Sequence, residues 1–263
     1  MYPEIHLGPL TLQTFGLMFA LGFIVAGAFC YKRFEELGKP ADWAYEMAFA
    51  ALVGGLIGSR LYFVIDHSES IDGAGDLISG TGLTWYGGLA GGALAVVLWA
   101  KWRGFLNLRL ADVAAPALLA GQAVGRIGCQ LSGDGDYGKP WDGPWAMGYP
   151  DGTVPTPPGV KVHPTPIYET LALGLGAFVL WRLRNRFRPG ILFSLFLIWA
   201  GTERLLVEFL RTNVDVALGL TAAQLTSAGM IIAGIIWILV VRNRYGTLAP
   251  PSGDGTAAGA AAK

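Results

Sequence analysis

Long apolar runs with few charges recur seven times along the chain, at about 11–32, 43–66, 84–101, 110–131, 165–183, 190–211 and 220–241. Each is close to the roughly 20 residues that an α-helix needs to cross a hydrocarbon core, so the pattern predicts seven transmembrane helices. One connection stands out: Ser132 to His163 is rich in Gly, Pro and Trp and reads as a small ordered head rather than a bare linker. Tyr245 to Lys263 is largely Gly, Ala, Pro and Ser and reads as a disordered tail. The expected architecture is an all-α integral membrane protein. Its membrane domain covers residues 1–245, its head covers 132–163 between the fourth and fifth helices, and its tail covers 246–263. The first run has no basic residue before it and no small-residue cleavage pattern after it, so it is expected to be retained as a helix. Neither an internal repeat nor paired broken segments are evident, which argues against an inverted-repeat transporter.

Composition agrees with a lipid solvent. The chain is 53% hydrophobic and 14% charged, against about 25% charged residues in an average soluble domain. The formal net charge of zero matters less than its placement. Lys32, Arg33 and Lys39, then Lys101, Arg103 and Arg109, then Arg182, Arg184, Arg186 and Arg188, alternate with connections poor in base, and Arg242 and Arg244 follow the last run. The positive-inside rule makes that basic side cytoplasmic. The amino terminus, the acidic segment Asp66 to Asp76 and the head then face outward, and seven crossings bring the carboxyl terminus inside. Trp85, Trp99, Trp102, Trp141, Trp145 and Trp181 fall mostly near predicted helix ends or in the head, as an interfacial aromatic belt requires.

Cys30 and Cys129 are the two cysteines, and the helices place them at opposite ends of the membrane, beyond disulfide reach. No disulfide or zinc framework is available to them. Gly54, Gly55 and Gly58, Gly87, Gly88, Gly91 and Gly92, and Gly121, Gly125 and Gly128 put small residues at helical spacing, where they permit close helix approach. Gly87 and Gly88, beside Tyr86, are also candidates for bringing backbone close to a ligand.

Against this apolar background three arginines are conspicuous: Arg60, Arg126 and Arg204. A guanidinium in hydrocarbon costs roughly 2.5–3.5 kcal/mol even on insertion scales, so each implies a partner or a polar cavity. At about 1.5 Å per residue, all three lie roughly 9–10 Å below the outward ends of their helices. Glu208 follows Arg204 by four residues and Arg211 by seven, which predicts one polar helical face. Mutual neutralisation of Arg204 and Glu208 is the plain reading of that face. A cluster of planar guanidinium forks, however, suits bidentate recognition of phosphate, and the phosphate most available at this depth is a phospholipid headgroup. Further polar chemistry gathers near this level: Tyr86 at the start of the third helix, Asp134 and Asp136 in SGDGDYG, and His163, Tyr168 and Glu169 in HPTPIYE. For Asp134 and Asp136 a solvated Asp-Gly turn accounts for the residues equally well.

Four ordered blocks then carry a resemblance. Gly125 to Cys129 with Gly133 to Gly138, His163 to Glu169 and Arg204 to Arg211 resemble, in order and spacing, the signature blocks of bacterial prolipoprotein diacylglyceryl transferases; Phe15 to Phe23 and Gln224 extend the likeness. The resemblance implies a multi-pass protein of the bacterial inner membrane. The activity it implies is transfer of the diacylglyceryl group of phosphatidylglycerol to the cysteine thiol of a lipoprotein precursor, releasing glycerol phosphate. It implies Arg126 and Arg204 as phosphate-binding and catalytic arginines, with Glu169 and Glu208 as membrane carboxylates. Arg60, Asp134, Gly87, Gly88, His163 and Tyr168 join them as candidate substrate-binding residues. No cofactor, metal or nucleic acid is called for, because breaking a carbon–oxygen bond with phosphate as leaving group chiefly needs preorganised positive charge.

The sequence departs from the family at Tyr86, where well-studied members have histidine, at Cys129, where they have asparagine, and at Phe15, where they have tyrosine. A phenol with an ordinary pKa of about 10 is a poor base unless a cation lowers it, so Tyr86, His163 and a carboxylate all stand as candidates for receiving the thiol proton. A related transferase with a different acceptor and a non-enzymatic lipid-binding or transport protein are the alternatives.

Overall fold

The structure, a computed structural model, describes residues 1–66, 84–213, 215–217 and 219–250. Most of the acidic connection after Asp66, and residues 251–263 of the expected tail, lie outside the described residues. The elements run β1 (Glu4–Leu7), β2 (Leu10–Gln13), α1 (Thr14–Glu36), α2 (Trp43–Asp66), α3 (Trp85–Trp102), α4 (Leu108–Ser132), α5 (Thr165–Leu183), α6 (Ile191–Glu208), β3 (Asp215–Ala217), β4 (Leu220–Thr221) and α7 (Ala222–Tyr245). Each apolar run has thus become one helix. Three of them, α1, α2 and α7, are long and apolar enough on length and composition alone to cross a membrane. Two of the others carry charge within the span: α4 has Arg109, Asp112 and Arg126, and α6 has Glu203, Arg204 and Glu208.

Two expectations need correction. The fold is mostly but not entirely helical, because β1 and β2 form an antiparallel hairpin with Glu4 opposite Gln13, and β3 pairs with β4. The sixth helix also stops at Glu208 rather than 211. Phe209 to Arg211 form a turn in which Leu210 N donates to Val207 O and Arg211 N to Glu208 O, so Arg211 leaves the helical stripe.

The chain divides into two compact units, Met1–Cys30 with Ala111–Lys263, and Tyr31–Leu110. In the smaller unit α2 packs on α3 through facing glycines: a Cβ on Gly58 would fall 2.7 Å from Cα of Gly91, and one on Gly87 would strike Gly58 and Tyr62. Small residues let the two backbones approach this closely. Ser59 Oγ donates to Thr84 O at 2.8 Å, and Thr84 Oγ1 returns a bond to Ser59 O at 3.1 Å. At the opposite end of this helix pair Glu46 accepts from Trp99 Nε1 at 2.9 Å and Arg103 Nε at 2.7 Å. Phe34, Trp43, Trp99 and Phe105 surround them, with ring centroids 5.7–6.4 Å apart.

The larger unit buries its core between α4, α5 and α6, where Leu119, Ala123, Leu173, Ala177, Leu192 and Phe196 meet. Asp112 of α4 fixes the start of α6, since its carboxylate accepts from Gly190 N at 2.7 Å and Phe193 N at 2.9 Å and so satisfies donors that a helix N-terminus leaves open. Gly201 and Gly234 bring α6 against α7; a Cβ on Gly234 would sit 2.7 Å from Ser194 O.

The head between α4 and α5 is ordered by backbone bonds and one buried ring. Met147 and Val162 exchange bonds of 3.1 and 2.9 Å, and Thr153 N and Val154 N donate to Ser132 O and Gly133 O at 2.9 Å. Tyr149 is fully buried; its hydroxyl donates to Gln130 Oε1 at 2.8 Å, its ring stacks on Tyr137, and burial pushes its phenol up to about 12. Lys139 straps the head to the turn after α6, its amide donating to Leu210 O at 2.7 Å and its Nζ to Phe209 O at 3.0 Å. Gly138 makes this approach possible, because a Cβ there would lie 2.6 Å from Leu210 O.

Candidate active site

Where the head meets α4, α5 and α6, six charged side chains form one alternating row: Arg211, Asp136, Arg126, Glu169, Arg204, Glu208. Asp136 of the head is ion-paired by one carboxylate oxygen to Arg126 and by the other to Arg211. Glu169 on α5 faces Arg126 Nε through Oε2 at 3.1 Å and Arg204 Nη1 through Oε1 at 3.2 Å. Glu208 meets Arg204 Nη2 at 3.0 Å, one turn along α6. The Oε2 atoms of Glu169 and Glu208 meet their arginines as ion pairs whose angles fall outside hydrogen-bond geometry. Buried carboxylates of this kind persist because guanidinium partners offset the desolvation that each would otherwise suffer.

The two ends of the carboxylate set, Asp136 and Glu208, are also held from outside the row. Thr165, fully buried at the start of α5, donates its hydroxyl to Asp136 O at 2.5 Å. Glu208 Oε1 accepts from Asn213 Nδ2 and from Thr221 Oγ1, both at 2.7 Å. Thr221 is the N-cap of α7, forming a capping box with Gln224, so the start of that helix is tied to the same carboxylate. Burial on its own would raise the Asp136 carboxyl, but the guanidinium groups of Arg126 and Arg211 outweigh it and hold the group at about 2.

The sequence candidates divide between the two units. Arg126, Glu169, Arg204 and Glu208 converge, with Arg126 and Arg204 sharing one carboxylate. Arg126 pairs with the head through Asp136. Asp134 serves a local turn, its Oδ1 accepting from Asp136 N at 3.2 Å. His163 and Tyr168 belong to an aromatic group of the head: Trp141 stacks on His163 at 4.3 Å, Trp145 Nε1 donates to the Tyr168 hydroxyl at 2.7 Å, and His163 Nδ1 lies 3.4 Å from that hydroxyl. Arg60, Tyr86, Gly87 and Gly88 lie in the smaller unit, where the Arg60 guanidinium covers the Phe63 ring at 5.1 Å.

Asp136 and Arg211 were visible in the sequence as polar residues but not as partners, and Glu203, buried beside Arg204 with its Oε1 unbonded among the described residues, carried no signal beyond its position. Cys30 and Cys129 are both free and buried. Cys129 Sγ lies 3.8 Å from Arg126 Nη1 and 3.6 Å from Asp136. The ligand atoms of Cys129, Asp134 and Asp136 gather within 4.8 Å, but the two guanidinium groups on Asp136 oppose a cation there.

Apolar helices and a buried arginine–carboxylate row are the marks of a helical membrane protein. The family follows from comparison: the prolipoprotein diacylglyceryl transferase model matches residues 4–240, and the chain belongs to that family. It is similar to enzymes named phosphatidylglycerol--prolipoprotein diacylglyceryl transferase in three organisms. The Clostridium tetani protein is 34% identical over 242 residues, 89% of this chain and 95% of its own length. The Dehalococcoides mccartyi protein is 34% identical, covering 90% and 92%, and the Bacillus cereus protein is 33% identical, covering 91% of each. The chain is accordingly a bacterial membrane transferase by family.

Proposed function

We propose that this protein transfers the diacylglyceryl group of phosphatidylglycerol to the cysteine thiol of a lipoprotein precursor. A sulfur–carbon bond forms to the glyceryl carbon, the bond from that carbon to the phosphate oxygen breaks, glycerol phosphate leaves, and the thiol gives up its proton. The observation that carries this reading is the shared contact of Arg126 and Arg204 with Glu169. Two forks held by one buried carboxylate are already oriented, so positive charge needs little reorganisation as negative charge grows on the departing phosphate. Glu208, braced by Asn213 and Thr221, holds Arg204 from its other side. Arg60, Gly87, Gly88, Asp134, His163 and Tyr168 complete the proposed substrate-binding set, with Tyr86 as a proton-transfer group.

The site is proposed to lie in the outer half of the bacterial inner membrane, within seven crossings formed by α1 to α7, with the amino terminus and head outside and the carboxyl terminus cytoplasmic. Helices of 18 to 25 residues support that frame, as does the alternation of basic connections. In domain terms it is one membrane domain over 1–245 carrying the head, with the remaining residues as a tail. The test is a transfer assay in detergent with labelled phosphatidylglycerol and a cysteine-containing precursor peptide, read by mass. A thioether-linked diacylglyceryl peptide is expected, and its absence from folded protein overturns the reading. Tyr86 in place of histidine favours a second reading, a different acceptor for the same donor. Consumption of phosphatidylglycerol with the peptide left unmodified would select it.

A further inference from the structure

We propose that Asp136 is an internal stand-in for the lipid phosphate: its carboxylate occupies the seat between Arg126 and Arg211, and the phosphodiester enters by displacing it. The inference rests on the proposed phospholipid chemistry and adds to it a place for the phosphate, a third arginine and a way of vacating the site.

Charge matching comes first. The row holds three guanidinium groups against three carboxyl groups, so an incoming phosphodiester anion leaves one carboxyl group too many beside it. One carboxylate must yield its arginines. Glu169 and Glu208 sit on helix backbones with side-chain exposures of 1% and 0%, and Glu208 is further tied to Asn213 and Thr221. Asp136 is carried by the head and its side chain is 30% exposed. It is therefore the carboxylate with a path to water once released.

Geometry comes second. Asp136 places one oxygen on each of two arginines from different segments, which is how two nonbridging oxygens of a phosphodiester would be held. Arg211 has an unused donor in addition: its side chain is only 10% exposed, and its Nη1 is buried without a hydrogen-bond partner among the described residues. A carboxylate whose two oxygens are both engaged leaves that donor unmet, whereas a phosphodiester brings further oxygens. An unpaired buried donor is costly, so the exchange relieves a defect of the ligand-free row.

Displacement makes the apparent affinity for lipid depend on how often Asp136 vacates its seat. The experiment measures binding of short-chain phosphatidylglycerol to purified protein in detergent for the wild type, Asp136→Asn, Asp142→Asn and Asp136→Asn combined with Arg211→Gln. Transfer to the precursor peptide is assayed on the same wild-type preparation. Asp136→Asn is expected to tighten binding about fivefold or more, a usual size for a coupling between competing ligands. Asp142→Asn removes an exposed carboxylate of the head that lies outside the proposed site and is expected to change binding little. Adding Arg211→Gln is expected to abolish the gain. Unchanged or weaker binding by Asp136→Asn overturns the proposal, as do equal gains from both asparagine variants or a gain that survives loss of Arg211. Wild-type protein that neither binds the lipid nor transfers from it instead overturns the transferase reading itself.

Discussion

Thr221 donates its hydroxyl to Oε1 of Glu208 at 2.7 Å while accepting the amide of Gln224 at 3.2 Å, so one side chain both starts α7 and orients a carboxylate of the charged row. Thr221→Val keeps the shape and removes both bonds. A cap is worth about 1 kcal/mol and a hydrogen bond to a charged group about 1.5–3 kcal/mol, so the variant should unfold at lower temperature and turn over more slowly. Thermal unfolding in detergent beside the transfer assay checks this, and wild-type values for both would remove Thr221 from the support of Glu208.

Arg126 touches Asp136 through Nη1 and Glu169 through Nε, using two edges of its fork. Lysine supplies the charge at a single point and cannot reach both carboxylates in that plane. Arg126→Lys should lower kcat/KM about a hundredfold, the usual cost of losing one preorganised donor to a developing anion. Activity near the wild-type level in a folded variant would count against direct phosphate recognition by Arg126.

The Asp136 carboxyl is held at about 2, below its ordinary value of about 3.9, and this fixes the sign of a pH effect. A depressed carboxyl contributes stability that is fully present above about pH 4 and is lost as pH falls toward 2. The difference in unfolding temperature between wild type and Asp136→Asn should therefore be flat from pH 8 to pH 5 and shrink below pH 4. A difference that vanished between pH 8 and pH 5 would contradict the ion pairs drawn for Asp136.

Tyr86 follows Trp85 at the start of α3 and is the proposed proton-transfer group. If its phenol moves the proton of the acceptor thiol, Tyr86→Phe should slow turnover about a hundredfold with little effect on lipid binding, as expected when a positioned acid–base group is removed. Unaltered turnover would assign proton transfer to another group.

How much of this was legible in the sequence depends on the length scale. The helices announced themselves because an apolar run of membrane length has few other structures open to it, and the runs at 43–66 and 165–183 match α2 and α5 end to end. The hairpins did not, since strands of two to four residues carry too little pattern, and β2 merged into the apolar run that opens α1. Arg204 with Glu208 was readable from helical spacing alone. The pairing of Arg211 with Asp136 was not, because it depends on the chain leaving α6 after Glu208 and on Gly138 letting the head come against that turn, both of which are decided by packing across distant segments. Glu169 was legible as a membrane carboxylate near the arginine level, but its service to two arginines at once needed the folded structure.

Asp112 grips the first amides of α6 some fourteen residues before Arg204, a span of about 21 Å at the helical rise. The height of the Arg204 guanidinium is thus gauged from the far end of its own rod, and a slip of one turn there would carry it about 5.4 Å past Glu169. Anchorage remote from the chemistry sets the axial ruler on which that chemistry is aligned.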